Sequence, residues 1–278
     1  GRMVYLDPYA GAAIAVAEAA RNIVCTGATP VAVTDCLNFG NPEKLEVYYT
    51  LNQAVRGIAE ACSVFDTPVV SGNVSLYNET RGRPIYPTPV IGMLGVLEDV
   101  TKHLTAGFDR PGCPVFLLGA EVAQGASTLA GSEYLEAVHG LVAGLPQVDL
   151  VAQLRLQKLV LQLHHEGLLL SAHDCSDGGL AVTLAESSII GGVGFEGTAE
   201  VSGRLDGALF GEGQGRIIVS IPPDSFRQGG GTARVHDLGV ELGVPVTRLG
   251  STVTGDGFTF GPIASTVRAI RDAFETPI

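Results

Sequence analysis

Apolar positions fall into two periods along the first third of the chain. Between Asp7-Pro8 and Gly27 the sequence is dominated by Ala, Ile and Val, with Pro at the front and Gly past the end, which predicts a capped helix up to Cys25. Residues 30–37 form a short apolar run rich in branched side chains, bounded by Pro30 and by Asn38-Phe39-Gly40, the signature of a buried strand. Its polar exception is Asp35. Asn41-Pro42 predicts a second helix cap, and Leu45, Tyr48, Leu51, Val55, Ile58 and Cys62 recur at three- and four-residue steps, as on an amphipathic helix. A strand over 67–71, a polar loop over 73–83 and an apolar strand over 90–97 follow.

The pattern then changes. Residues 105–112 put Gly, Pro and charge into a short stretch and read as a linker, which divides the chain into 1–108 and 109–278. Beyond it the sequence predicts a strand from Cys113 to Leu118, a helix over 148–166, a turn His173-Asp174-Cys175-Ser176-Asp177-Gly178-Gly179 opening a helix over 180–190, and a strand over 216–221. Gly255-Asp256-Gly257 between Val253 and Phe258 has the chemistry of a hairpin turn. Strands and helices mix without strict alternation, so the expected class is α/β for the first part and α+β for the second.

Composition narrows the function. The chain has 278 residues, 46% hydrophobic and 17% charged, which excludes a disordered chain and allows two domains with ordinary cores. The net charge of −12 repels polyanions and argues against nucleic-acid binding; a small phosphorylated ligand stays possible through backbone N–H groups and a divalent cation. Five scattered cysteines without a C-x-x-C pair fit neither a disulfide framework nor a zinc site and suit a reducing cytoplasm. Neither a membrane span nor a signal peptide is expected. The start Gly1-Arg2-Met3 points to a cleaved tag or a piece of a longer chain.

Two segments carry candidate chemistry. An ionised Asp35 in an apolar strand must be hydrogen-bonded, metal-bound or exposed, and it serves either a ligand at the strand end or a turn at 38–40. Ser71-Gly72-Asn73-Val74-Ser75 follows a predicted strand. There Gly admits close backbone approach, while the Asn and Ser oxygens suit Mg²⁺ and phosphate; the alternative is a polar hairpin loop. Gly211-Glu212-Gly213-Gln214-Gly215-Arg216 resembles a nucleotide loop but precedes a strand, so it reads as a tight turn. The 173–179 segment could be a metal cluster or a Cys/His dyad, and an ordinary N-cap at 177–179 is favoured. His164-His165 reads as a solvated pair at a helix end.

Longer strings carry a resemblance. Val4-Tyr5-Leu6-Asp7-Pro8, Ala17-Glu18-Ala19-Ala20-Arg21-Asn22, Thr34-Asp35-Cys36-Leu37-Asn38-Phe39-Gly40-Asn41-Pro42, Gly72-Asn73-Val74-Ser75-Leu76-Tyr77-Asn78-Glu79, Tyr86-Pro87-Thr88-Pro89-Val90-Ile91-Gly92 and Asp177-Gly178-Gly179-Leu180-Ala181 resemble the synthetase subunit of phosphoribosylformylglycinamidine synthase, within the AIR synthetase-related superfamily. The match is to the second of that subunit's two homologous halves. The resemblance implies an N-terminal α/β domain whose sheet pairs with that of the other half, and a C-terminal α+β domain beside it.

It further implies ATP-dependent activation of the amide oxygen of formylglycinamide ribonucleotide as an iminophosphate, followed by attack of ammonia, within purine biosynthesis. Mg²⁺ and ATP are the implied cofactors. Asp35 and Gly72 match ATP contacts, Asn73 a magnesium ligand and Ser75 a substrate contact. The family's catalytic His, its nucleotide-contacting Lys and Tyr and its acidic Mg²⁺ ligands belong to the first half. The implied partners are that missing N-terminal half, a glutaminase subunit and a small accessory subunit, and the isolated chain is expected to be inactive and to self-associate. A competing reading is a nucleotide-binding or pairing module without catalysis; a self-sufficient homodimeric kinase or synthetase of the same fold lacks its glycine-rich segment and acidic cluster.

Overall fold

The computed structural model describes residues 1–122, 125–224 and 230–276. The first part contains helices α1 (Arg2–Leu6), α2 (Pro8–Cys25) and α3 (Leu45–Phe65), and strands β1 (Thr29–Asn38), β2 (Val69–Ser75), β3 (Glu79–Thr80), β4 (Arg83–Pro84) and β5 (Thr88–Val96). Asp7 caps α2 as its sequence demands: Oδ1 accepts from the Tyr9 and Ala10 N–H groups at 3.0 and 2.9 Å, and Pro8 occupies the first helical position.

β1 is the middle of a three-stranded sheet, parallel to β2 and antiparallel to β5. Alternation along β1 sends Val33, Asp35 and Leu37 to one face. That face is covered by α2 and α3, where Val33 and Leu37 join Ala13, Val16, Ala17, Ile58 and Ala61 in one core. Among the described residues no layer covers the other face. Thr34, Val90, Leu94 and Val96 are exposed there, Leu94 to 60%.

The second part contributes β6 (Pro114–Leu118), α4 (Glu133–His139), α5 (Leu150–His165), β7 (Ser171–Asp174), α6 (Gly179–Gly191), β8 (Gly194–Gly197), α7 (Leu205–Phe210), β9 (Ile217–Ser220), α8 (Gly231–Leu242), β10 (Val246–Val253), β11 (Gly257–Phe260), β12 (Ile263–Thr266) and α9 (Val267–Glu275). Its seven strands run in the order β12-β11-β8-β10-β6-β9-β7, antiparallel except for β8 and β11. Both faces are filled. Phe116, Leu118, Ile217 and Val219 pack on α5 and α8, whereas Val115, Leu117 and Ile218 pack on α6 and α7. Leu104 and Phe108, from the connecting segment, are buried in these two cores.

Several elements differ from expectation. Asn41 does not cap α3: its side chain accepts from Glu43 N–H in a turn, and the helix begins at Leu45 after Lys44. The α3 face that packs is Val47, Ala54, Ile58, Ala61, Cys62 and Phe65, while Leu45, Tyr48 and Val55 of the expected stripe are exposed. The residues at 73–75 extend β2 instead of beginning a loop, because they pair with Cys36 to Asn38. The turn at 255–257 does not close a hairpin: β8 lies between β10 and β11 and hydrogen-bonds both.

Candidate functional site

The parallel register of β1 and β2 places Thr34 beside Ser71, Asp35 beside Gly72, Cys36 beside Asn73 and Asn38 beside Ser75. Two polar segments far apart in sequence thus meet along one strand pair. Strand alternation divides them. Asp35 and Gly72 belong to the helix-covered face; Cys36, Asn38, Asn73 and Ser75 belong to the open one.

Asp35 is half-buried, and burial raises its carboxyl above the ordinary Asp value. Its charge reaches Cys62 at the end of α3, and a Cβ placed on Gly72 would lie 2.3 Å from Asp35 Oδ1. Gly72 is needed for that contact: only a residue without a side chain lets the carboxylate lie against the β2 backbone.

On the open face Asn73 is exposed and donates from Nδ2 to Cys36 Sγ at 3.6 Å. Ser75 Oγ accepts from Asn78 Nδ2 at 3.1 Å, and the same Nδ2 donates to Phe39 O and Ser75 O, so Asn78 ties the ends of β1 and β2 together. Beyond them, Lys44 Nζ holds Glu79 at 2.8 Å at the root of the β3–β4 hairpin, which pulls the Glu79 carboxyl below its usual value.

The oxygen atoms of Asn73 and Ser75 are hard donors that suit Mg²⁺. Among the described residues no group of three or more His, Cys, Asp or Glu side chains is placed to hold a metal ion. The donors present therefore fit a fraction of an octahedral shell. A metal ion held there would need its remaining ligands from water, a bound ligand or another chain segment.

The other motifs resolve as structure. His173 belongs to β7, where its Nδ1 lies 2.9 Å from Ser187 Oγ, and burial lowers its pKa. Cys175 is fully buried, and that burial pushes its thiol up to about 11, the opposite of what a nucleophile needs. Asp177 does not cap α6. The Gly178 N–H instead goes to Glu212 Oε1 at 2.9 Å, and the same oxygen accepts from Glu133 N–H at 2.8 Å, where α4 begins. Sequence gave no hint of this, because the acceptor comes from the 211–216 turn far along the chain.

Burial pushes the Glu212 carboxyl up to about 7, and it lines a cleft of about 530 Å³ with Arg2, Glu18, Glu133, Glu136 and Asp177. Behind that turn lies a buried charge network that the sequence also concealed. Arg21 of α2 donates to Asp174 Oδ1 at 2.5 Å, to Gln153 Oε1 at 3.0 Å and to Gln214 Oε1 at 2.9 Å, and Arg216 donates to the carbonyls of Gly211 and Gly213. His164, expected in solvent, packs instead against Gly27, where a Cβ would lie 2.6 Å from its Nε2 and where φ is 86°. Its ring is held below the usual His pKa, first by burial and then by the neighbouring His165.

All five cysteines are free thiols, and among the described residues no helix is long and apolar enough to cross a membrane.

Two family models match the chain: "AIR synthase related protein, N-terminal domain" over residues 1–97 and "AIR synthase related protein, C-terminal domain" over residues 110–245. Phosphoribosylformylglycinamidine synthase subunit PurL of Thermomicrobium roseum is 52% identical over 267 residues, which cover 94% of this chain and 35% of that protein. The PurL of Deinococcus radiodurans is 47% identical and matches 100% of this chain and 38% of its own length. The chain thus spans about a third of the length of these relatives. Among solved structures, Thermotoga maritima PurL complexed with FGAR aligns with a TM-score of 0.76 at 19% identity, over 97% of this chain and 44% of that one. The protein tt0281 from Thermus thermophilus aligns at 0.64 and 21% identity, over 94% and 81% of the two chains. These two likenesses concern fold alone. With both family domains present in order and relatives near half identity over nearly its whole length, the chain belongs to the AIR synthase related family.

Proposed function

We propose that this chain is the second half of a phosphoribosylformylglycinamidine synthase synthetase subunit. In this reading it contributes one wall of an ATP- and Mg²⁺-dependent site that makes formylglycinamidine ribonucleotide from formylglycinamide ribonucleotide and ammonia. The observation that carries it is the β1–β2 register: Asp35 with Gly72, and Cys36 with Asn73, on a sheet whose far side is bare. The PurL relatives at 46–52% identity support the same reading. Residues 1–108 form the nucleotide-side domain and 109–278 the domain packed beside it.

Each residue has a part. Gly72, on the edge strand β2, presents backbone to the nucleotide, and Asp35 contacts it from beside Gly72 on the same face. Asn73 supplies an oxygen to Mg²⁺, and Ser75 meets the substrate where Asn78 fixes its hydroxyl. Bound MgATP would provide a phosphoryl group to activate the amide oxygen, and what the protein adds is placement and neutralisation of charge. The exposed Val90, Leu94 and Val96 are the contact surface for the homologous sheet of the other half. A separate glutaminase supplies the ammonia, in keeping with the Thermotoga maritima structure named PurLQS.

Substituting Asn73→Ala in the full-length subunit, assayed with ammonia, tests the reading. A loss of at least tenfold in kcat/KM with an unchanged melting temperature is expected. A loss of stability with normal turnover would leave this half as a pairing module.

A further inference from the structure

The open face carries a directed row of hydrogen bonds that ends at Asn73. Asn38 Nδ2 donates to two backbone carbonyls, Cys36 O at 3.0 Å and Thr88 O at 3.2 Å. A carbonyl only accepts, so these two contacts identify the nitrogen end of the Asn38 amide and leave Oδ1 as its accepting end. Oδ1 lies 3.9 Å from Cys36 Sγ and accepts the thiol hydrogen, while Nδ2, its two hydrogens turned to the carbonyls, lies 3.6 Å from the same sulfur. With its proton committed, the sulfur offers lone pairs, and Asn73 Nδ2 donates to it at 3.6 Å across the parallel pair. The carboxamide of Asn73 is thereby turned with nitrogen toward β1 and oxygen away from it.

We propose that Asn38 and Cys36 are positioning residues, which act through Asn73 by fixing its Oδ1 as the oxygen donor that the open face presents to a divalent cation. An unrestrained Asn presents oxygen and nitrogen interchangeably, and the nitrogen end repels a cation; a fixed oxygen removes that competition. Sulfur–hydrogen and sulfur-accepted bonds are weak, so the expected effect is moderate. The inference rests on the metal-binding role proposed for Asn73.

The test uses the full-length synthetase subunit and Mn²⁺ as the probe, its binding followed by electron paramagnetic resonance with a non-hydrolysable ATP analogue present. Melting temperatures are recorded for every variant. Asn73→Ala is expected to weaken Mn²⁺ binding by roughly tenfold or more and Cys36→Ala by roughly three- to tenfold. Cys36→Ser, which retains both a donor and an acceptor, is expected to recover most of that loss. The double variant should bind no worse than Asn73→Ala, because Cys36 acts through Asn73. In turnover, Cys36→Ala raises the Mg²⁺ concentration for half-maximal rate while kcat stays within about twofold.

Parental Mn²⁺ binding by Cys36→Ala alongside a weakened Asn73→Ala overturns the positioning role and leaves the metal role of Asn73 standing. Losses that multiply in the double variant, or equal losses in the Ser and Ala variants, overturn it as well. Parental binding by Asn73→Ala overturns both.

Discussion

Asp35 and Gly72 oppose each other on the parallel β1–β2 pair, so closely that a side-chain carbon at position 72 would stand 2.3 Å from the Asp35 carboxylate. The carboxylate occupies the space that a side chain would have filled, so the two positions act as one unit.

Gly72→Ala should therefore drive Asp35 out of place. The expected outcome in the full-length subunit is a rise in KM for ATP together with a destabilisation of about 1–3 kcal/mol from crowding. Adding Asp35→Ala relieves the crowding, so the double variant should regain stability and match Asp35→Ala alone in ATP dependence. Chemical denaturation and steady-state kinetics read the two parts. Additive stability losses would show that the residues are independent.

Arg21 lies wholly inside the protein with Asp174 as its charge partner. Arg21→Met leaves that carboxylate buried without its hydrogen-bonded cation, with Arg216 still near it, a change that costs about 3–5 kcal/mol. Urea denaturation should show the loss, and Asp174→Asn in the Met background should recover part of it.

Glu212 sets a pH dependence. Burial holds its folded pKa at about 7, above the usual 4.5, so between these values the folded state binds more protons than the unfolded one. Stability from this group is full below about pH 4.5 and is lost as pH rises through about 7. Glu212→Gln keeps an oxygen for the Gly178 and Glu133 N–H groups, and it should flatten the stability profile across that window in thermal melts.

The bare sheet face predicts self-association of the chain when it is produced alone. Sedimentation equilibrium should show dimers or larger species at micromolar concentration, and Leu94→Lys should shift the population to monomer without lowering the melting temperature. A parental chain that is monomeric throughout would remove the pairing role of this surface.

What could be read from the sequence depended on how local the cause was. The α2 cap was legible because Asp7, Pro8 and their hydrogen-bond partners lie within four residues. The proposed site residues Asp35, Gly72, Asn73 and Ser75 stood out in the sequence as polar positions where strands were expected to end, and the resemblance named the same four; the strands in fact run on through Asp35 and Gly72. Their division between two sheet faces was not, since it depends on a register that no single strand contains. The α3 face was misjudged because packing chose Val47 and Ala54 over the larger Leu45 and Tyr48, which the periodicity favoured. The insertion of β8 beside the 255–257 turn and the reach of Glu212 to two helix starts are long-range facts that leave no local mark.

The Arg21 network has a mechanical consequence. It joins α2 of the first sheet's layer to β7 and the 211–216 turn of the second, and Val24 and Cys25 continue the join into the second core. Any swing between the two sheets would drag a paired charge through apolar surroundings, so a hinge there is disfavoured. The network therefore resists bending between the two sheets. A ligand that reached the open face would then be enclosed by what approaches that face and not by bending at the Arg21 join.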